Sequence, residues 1–115
     1  MANTFKVITK AGVTSADVIY TVAGSTTTVL LGIMLGNTTA SATTATVTLT
    51  SDTANRSGAN DEANQTVELV TNAPIPVGSS LELLAGNKVV MEATDTLSLT
   101  GSGATDIILS VMEIT

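Results

Sequence analysis

The residues best suited to chemistry lie in one polar stretch, residues 51–65. Its carboxylates and amides are hard oxygen donors of the kind that Ca²⁺ takes. The same groups could contact a glycan or a host surface from a loop held on a rigid scaffold. Their spacing does not match an EF-hand loop, and a merely solvated loop has the same composition, so we expect no bound metal. The candidate recognition residues are Asp52, Asn55, Arg56, Asn60, Asp61 and Glu62.

Composition argues against catalysis. The chain contains no His and no Cys, which excludes a Ser-His-Asp triad, a Cys nucleophile and a Cys/His zinc site. Paired carboxylates remain as acid–base groups, but with one Phe, one Tyr and no Trp the chain lacks the aromatic platforms typical of sugar-cleaving clefts. We therefore expect neither an enzyme nor a bound cofactor.

Charge and hydropathy limit the partners. Four basic against ten acidic residues give a net charge of -6, which is unfavourable for nucleic acid because phosphate neutralisation supplies most of that affinity. The longest apolar run, Val29 to Leu35, is far shorter than the roughly 18 residues that a membrane-spanning helix needs. No export signal is recognisable at the start of the sequence. We expect partners that are neither nucleic acid nor membrane.

The periodicity predicts β-strands throughout. Thr46–Thr50 and Thr96–Thr100 alternate hydroxyl and aliphatic side chains, as half-buried strands do. Turn-forming residues recur at short intervals, and no stretch shows a helical apolar stripe. Residues 1–115 are therefore expected to form a single all-β domain, a β-sandwich or jelly-roll-like fold of about eight or nine short antiparallel strands, with 51–65 as its long polar loop.

Two predicted strands, Val29–Leu35 and Ile107–Ile114, carry large apolar side chains on both faces. Such strands are normally covered on both faces, whereas a two-layer sandwich covers only the inner one. Either loops shield the outer face, or that face is a subunit interface, and we favour the interface. The residues expected at an oligomer or capsid interface are Leu30, Met34, Ile108, Met112 and Ile114.

The chain resembles small structural proteins of tailed-phage virions, such as those of phages that infect cyanobacteria. Residues 18–25, VIYTVAGS, resemble the family's YTVPAG opening, and residues 37–47, NTTASATTATV, resemble a stretch that follows its first apolar strand. Residues 74–97, PIPVGSSLELLAGNKVVMEATDTL, and the closing strand at 106–115, DIILSVMEIT, complete the similarity. The sequence departs from the family pattern at Ala23, usually Pro, and at Thr94, usually Gly.

The resemblance covers roughly residues 17–115 and implies a β-sandwich built into a phage particle as a symmetric oligomer, which we expect to be a trimer. It implies no catalytic residue. A head-decoration (cement) protein that binds the major capsid protein is the favoured role, and a neck, tail or fibre component is the alternative. A host-surface or glycan-binding module that uses the 51–65 loop is a further alternative. The expected location is the virion, after assembly in the host cytoplasm.

Overall fold

The computed structural model describes residues 2–52 and 65–115. In these two ranges the chain forms β-strands and no helix, so none of the described residues belongs to a helix that could cross a membrane. The all-β prediction is confirmed. The strands are β1 (Asn3–Val13), β2 (Asp17–Thr21), β3 (Thr27–Asn37), β4 (Thr43–Thr50), β5 (Thr66–Ile75), β6 (Ser80–Glu82), β7 (Val89–Met91), β8 (Thr96–Gly101) and β9 (Thr105–Ile114).

The strands form two antiparallel sheets. Sheet A has the order β1-β9-β3-β6, with the short β7 pairing beside β6 along the same edge of β3, and sheet B has the order β2-β8-β4-β5. Successive strands repeatedly cross from one sheet to the other, and β6 and β7 together fill one strand position. This is the strand order of a jelly roll.

Alternating sequence explains which side of each strand is buried. In β4, Val47 is fully buried while Thr46 and Thr48 are only partly covered, and in β8 Leu97 and Leu99 are buried on either side of Ser98. A period of two places successive side chains on opposite faces of a sheet. The aliphatic residues of both sheets therefore meet between the layers.

The core between the sheets is aliphatic. β-branched and leucine side chains pack there without aromatic rings, because Tyr20 lies at its margin and Phe5 lies on the surface. The largest fully buried side chains are Val22, Leu30, Ile33, Leu35, Val47, Ile75, Met91, Leu97, Leu99, Ile107, Leu109 and Val111.

A bulge in β3 corrects one prediction from the sequence. Leu30 pairs with Val111 and Gly32 pairs with Ser110, so one residue of β3, Leu31, is extra between them. The insertion reverses the alternation, as bulges do, and turns Leu30 into the core with Ile33. Leu30 is completely buried, so its predicted place on an interface face is wrong.

The first and last strands lie side by side. β1 and β9 pair in continuous antiparallel register from Asn3↔Ile114 to Lys10↔Ile107. Beyond that ladder, Ala2 and Thr115 exchange backbone hydrogen bonds, at 3.2 Å from the Ala2 amide and 2.9 Å from the Thr115 amide. The two ends of the described chain therefore meet at one corner of sheet A.

Candidate assembly surface

The outer face of sheet A is apolar where the outer face of a sandwich is usually polar. The cross-strand register aligns Val90, Val29, Met112 and Phe5 in one row across β7, β3, β9 and β1. Several members of this face are strongly exposed, led by Phe5 at 72%. We call this surface the apolar face. Its members are Phe5, Val7, Val29, Met34, Val90, Ile108, Met112 and Ile114.

A depression interrupts the apolar face beside that row. Gly32 and Ser110 lie opposite each other in the ladder between β3 and β9, where their small size leaves the sheet uncovered. Met34 and Ile108, the next pair along, form one wall, and Glu82 of β6 lies beyond Met34. The depression has a volume of about 140 Å³.

The opposite side of the sandwich differs sharply. On the outer face of sheet B, Thr46 pairs with Thr100 and Thr48 with Ser98, and Thr50 forms the next pair with Thr96. In these two central strands, β4 and β8, hydroxyl groups occupy the positions that carry valine, methionine and isoleucine on sheet A, and Val18 of β2 is an exposed apolar residue beside them. A hydroxyl surface is well hydrated, so the sandwich has one face suited to water and one suited to burial.

A polar cluster joins the two sheets at one end of the core. The Tyr20 hydroxyl, from sheet B, lies 2.7 Å from Thr28 Oγ1 and donates to Glu113 Oε2 at 2.5 Å, both in sheet A. Lys6 Nζ of β1 lies 2.8 Å from Glu113 Oε1. Four strands of the two sheets thus meet in one hydrogen-bonded group.

This environment shifts two pKa values. Burial, together with the hydrogen bond to the Glu113 carboxylate, raises the pKa of Tyr20 to about 12. The Lys6 ammonium, followed by the Tyr20 hydroxyl, lowers the pKa of Glu113. Every group in the cluster has a partner within the fold, so its chemistry is that of a clamp between the sheets.

The described part of the 51–65 loop is its stem. Asp95 is buried at the turn before β8, and its carboxylate accepts hydrogen bonds from the amides of Asp52 at 2.8 Å and Glu92 at 2.9 Å. The Asp52 carboxylate in turn accepts a hydrogen bond from the Thr94 hydroxyl at 2.8 Å. Asp52 therefore anchors the loop to the fold.

The other residues predicted for recognition lie outside the described residues. Among residues 2–52 and 65–115, no group of three or more acidic side chains is placed to hold a metal ion. The recognition loop remains a prediction. The predicted residues in question are Asn55, Arg56, Asn60, Asp61 and Glu62.

The structure brings four of the predicted interface residues together. Met34 and Ile108 are directly paired and exposed on the apolar face, and Met112 and Ile114 follow Ile108 at alternate positions of β9. Their role as an interface stays a prediction.

Sequence reasoning missed other members of this face. Phe5 and Val7 lie at alternate positions of β1, but alternation alone does not say which face of a strand meets water. Val90 belongs to the short β7 and joins the apolar face only through its pairing with Val29.

Comparisons with known proteins give little further information. No family model matches the chain, and no curated protein matches it. One similar solved structure comes from a study describing Bacillus endospore appendages as a novel family of disulfide-linked pili, with 18% sequence identity and a TM-score of 0.49. The match covers 99% of this chain and 87% of that one. At this TM-score the likeness supports no inference about function.

Proposed function

We propose that this protein is a non-enzymatic structural subunit of a phage particle, a capsid decoration protein that buries its apolar face on assembly. The apolar face is the observation that carries the proposal. Four strand positions about 4.8 Å apart and strands about 34 Å long give this side of sheet A an area of about 650 Å². That area includes small and polar positions such as Gly32 and Ser110. Contiguous exposed apolar residues within it often mark an association site on a soluble protein, so a face of this kind is suited to a partner.

The contrast between the two outer faces supports an assembly role rather than general hydrophobicity. Both faces belong to the same sandwich, and both strand patterns alternate with period two. Sheet A places a row of apolar side chains outside, whereas the two central strands of sheet B, β4 and β8, place threonine and serine there, with Val18 of β2 as an exposed apolar residue beside them. This distribution of apolar and hydroxyl side chains is expected of a subunit that contacts its neighbours on one side and water on the other.

The phage assignment comes from the sequence. The segments at 18–25, 37–47, 74–97 and 106–115 resemble tailed-phage virion proteins, and a jelly roll is compatible with that role. Jelly rolls also occur in lectins and cupins, so the fold by itself does not choose among functions.

The test is incorporation into particles. Quantitative mass spectrometry of purified virions should find this protein in a simple ratio to the major capsid protein, with hundreds of copies expected from the proposal and only tens from a neck, tail or fibre position. Absence from the particle would contradict a virion role altogether.

Matched variants connect incorporation to the surface. Met34→Lys with Met112→Lys places two charges on the apolar face, and Thr48→Lys with Ser98→Lys places the same charges on the outer face of sheet B. The first pair should leave the protein folded but absent from particles, and the second should be incorporated normally. Equal incorporation of both would refute burial of the apolar face.

A further inference from the structure

We propose that two copies of this chain pair through the apolar face about a two-fold axis, with Phe5 of each copy inserted into the depression at Gly32 and Ser110 of the other. The inference deepens the proposed structural role and rests on it, because it names the first partner of the apolar face. Each copy carries both halves of the contact, a projecting ring and a recess. An isologous interface requires this self-complementarity.

The recess fits the ring in size and character. Its volume is about 140 Å³, and Met34 and Ile108 form its apolar wall over the small floor residues Gly32 and Ser110. An apolar cavity of about 150 Å³ in another protein takes up benzene. The phenyl group of one phenylalanine therefore matches the space that the sheet leaves open.

The ring is available to fill it. Phe5 is the single phenylalanine of the chain, and its side chain is 72% exposed at the edge strand of sheet A. Aromatic rings inserted in a partner's pocket are frequent sites of concentrated binding energy. On the free subunit this ring gains little from its own fold.

The position of the two features defines the symmetry. Phe5 lies in the row of Met112, whereas the recess begins one row further along β9, at Ser110, and reaches across to β3. A two-fold axis in the plane of the interface places the ring of each copy over the recess of the other if it crosses the line from Phe5 to the recess at its midpoint and at a right angle. That axis passes close to Ser110 and Met112, the middle of the apolar face.

The available area fits a pair. Two faces of about 650 Å² offer about 1,300 Å² in total, within the range of about 1,200–2,000 Å² for standard specific interfaces. Because each copy carries both the ring and the recess on one face, a single partner copy fills the recess and buries the ring at once. This arrangement favours a pair over the trimer expected from the sequence.

Gly32 allows the recess to be filled without disturbing the fold. A Cβ atom built at Gly32 meets no heavy atom within 4 Å, and its backbone is outside the left-handed region. Gly32→Leu therefore blocks the recess. Ser98→Leu, on the outer face of sheet B, is its matched control, because it adds a leucine at a small residue on the opposite side of the sandwich.

Sedimentation equilibrium of the full chain tests the pair directly. The parent should behave as a concentration-dependent dimer. Phe5→Ala should weaken that dimer about a thousandfold, because a roughly thirtyfold loss per ring occurs twice in a two-fold pair. Gly32→Leu should have a comparable effect, and Ser98→Leu, on the outer face of sheet B, should leave the dimer intact. Unchanged circular dichroism should accompany each variant.

A mixture of the two damaged variants gives a sharper readout. Phe5→Ala retains the recess and Gly32→Leu retains the ring, so a mixed pair restores one of the two contacts that each variant lacks when paired with itself. The mixture should dimerise more tightly than either variant alone.

Added salt should also tighten the pair, because each copy carries a net charge of -6 and salt screens that repulsion.

Several results would overturn the proposal. A parent protein that is monomeric at all accessible concentrations, or trimeric, excludes this two-fold pair. A dimer that is insensitive to both Phe5→Ala and Gly32→Leu forms elsewhere, and a mixture no tighter than its components excludes the reciprocal contact. The particle assay is independent of these outcomes. A monomer that still enters virions refutes the pair alone, whereas a dimer absent from virions refutes the structural role in the particle.

Discussion

Removing one hydroxyl group, by Tyr20→Phe, tests whether the clamp between the sheets stabilises the fold. The substitution keeps the ring in place and deletes the oxygen that lies 2.7 Å from Thr28 Oγ1 and 2.5 Å from Glu113 Oε2. Thr28 is completely buried, so water does not readily replace the lost partner. Glu113 retains its ion pair with Lys6.

The expected size of the effect follows from the two hydrogen bonds. A neutral hydrogen bond contributes about 0.5–1.5 kcal/mol net, and one to a charged group about 1.5–3 kcal/mol. Because the Glu113 side chain is still 14% exposed and keeps its lysine, we expect a total loss of about 2 kcal/mol. For a domain of this size that corresponds to a fall of roughly 8 °C in Tm.

Urea unfolding at pH 7, followed by circular dichroism, measures this difference. The midpoint should fall while the denaturant slope stays unchanged, because the surface exposed on unfolding is the same. Glu113→Gln combined with Tyr20→Phe should lose less than the sum of the two single variants, since both remove the same contact. A loss below about 0.5 kcal/mol for Tyr20→Phe, within the range of ordinary surface substitutions, would refute the clamp.

The same cluster gives stability a defined pH dependence. The pKa of Tyr20 is raised from 10.0 to about 12 in the fold, so the stabilisation from its neutral hydroxyl is complete below pH 10. That stabilisation is lost as pH rises from about 10 to about 12, where the unfolded chain ionises first. Two pKa units correspond to about 2.7 kcal/mol at most, and partial solvation should reduce the observed loss to about 1 kcal/mol.

Tyr20 can be titrated without interference from another tyrosine. It is the single tyrosine of a chain that has no tryptophan, so tyrosinate absorbance reports this group directly. The native protein should titrate well above pH 10, and the urea-unfolded protein near pH 10. Native titration at the ordinary pKa would contradict the hydrogen bond between Tyr20 and Glu113. At acid pH, stability should instead rise with pH. The pKa of Glu113 is lowered in the fold, so its carboxylate stabilises the fold at neutral pH, and this contribution is lost as pH falls through the lowered pKa.

Other substitutions test the sandwich by the same urea assay. Leu30→Ala truncates a core side chain and should lower the free energy of unfolding by about 2–5 kcal/mol. Met34→Ala, on the apolar face, should lower it by less than about 1 kcal/mol in the monomer. Similar losses for the two variants would contradict the bulge in β3. Gly101→Ala places a Cβ atom 2.6 Å from a backbone carbonyl oxygen of β1 and should lower the free energy of unfolding by more than about 2 kcal/mol. At Gly36 an added Cβ atom meets no heavy atom within 4 Å, so Gly36→Ala should lower it by less than about 0.5 kcal/mol. Asn37→Ala removes a buried amide that donates to two backbone carbonyls at 2.9 Å and should cost about 2–4 kcal/mol; a loss under about 1 kcal/mol would show that water replaces it.

Local pattern was sufficient for the class of fold and for the regular strands. In Thr46–Thr50 the alternation correctly indicates that Val47 points inward, because the ladder there places one polar and one apolar face on successive residues. Turn residues at short spacing indicate a sandwich. These signals are local, and the sequence contains them directly.

The missing information was non-local. Whether Leu30 faces the core depends on one extra residue in the β3 ladder, and in a run of apolar residues nothing marks which one is extra. Tyr20 and Glu113 are 93 positions apart, so their contact depends on the packing of β2 against β9. The recess depends on Gly32 lying opposite Ser110, which only the register reveals.

The pairing of β1 with β9 also determines how the subunit responds to force. Ala2 and Thr115 lie side by side at the same end of an antiparallel ladder, so a pull applied through these two residues opens the ladder like a zipper. Its hydrogen bonds then break one after another, each bearing the load alone, and resistance is low. A load applied across the broad faces of the two sheets instead spreads over the whole core. Tension in an assembly is therefore better carried from face to face than along the main chain.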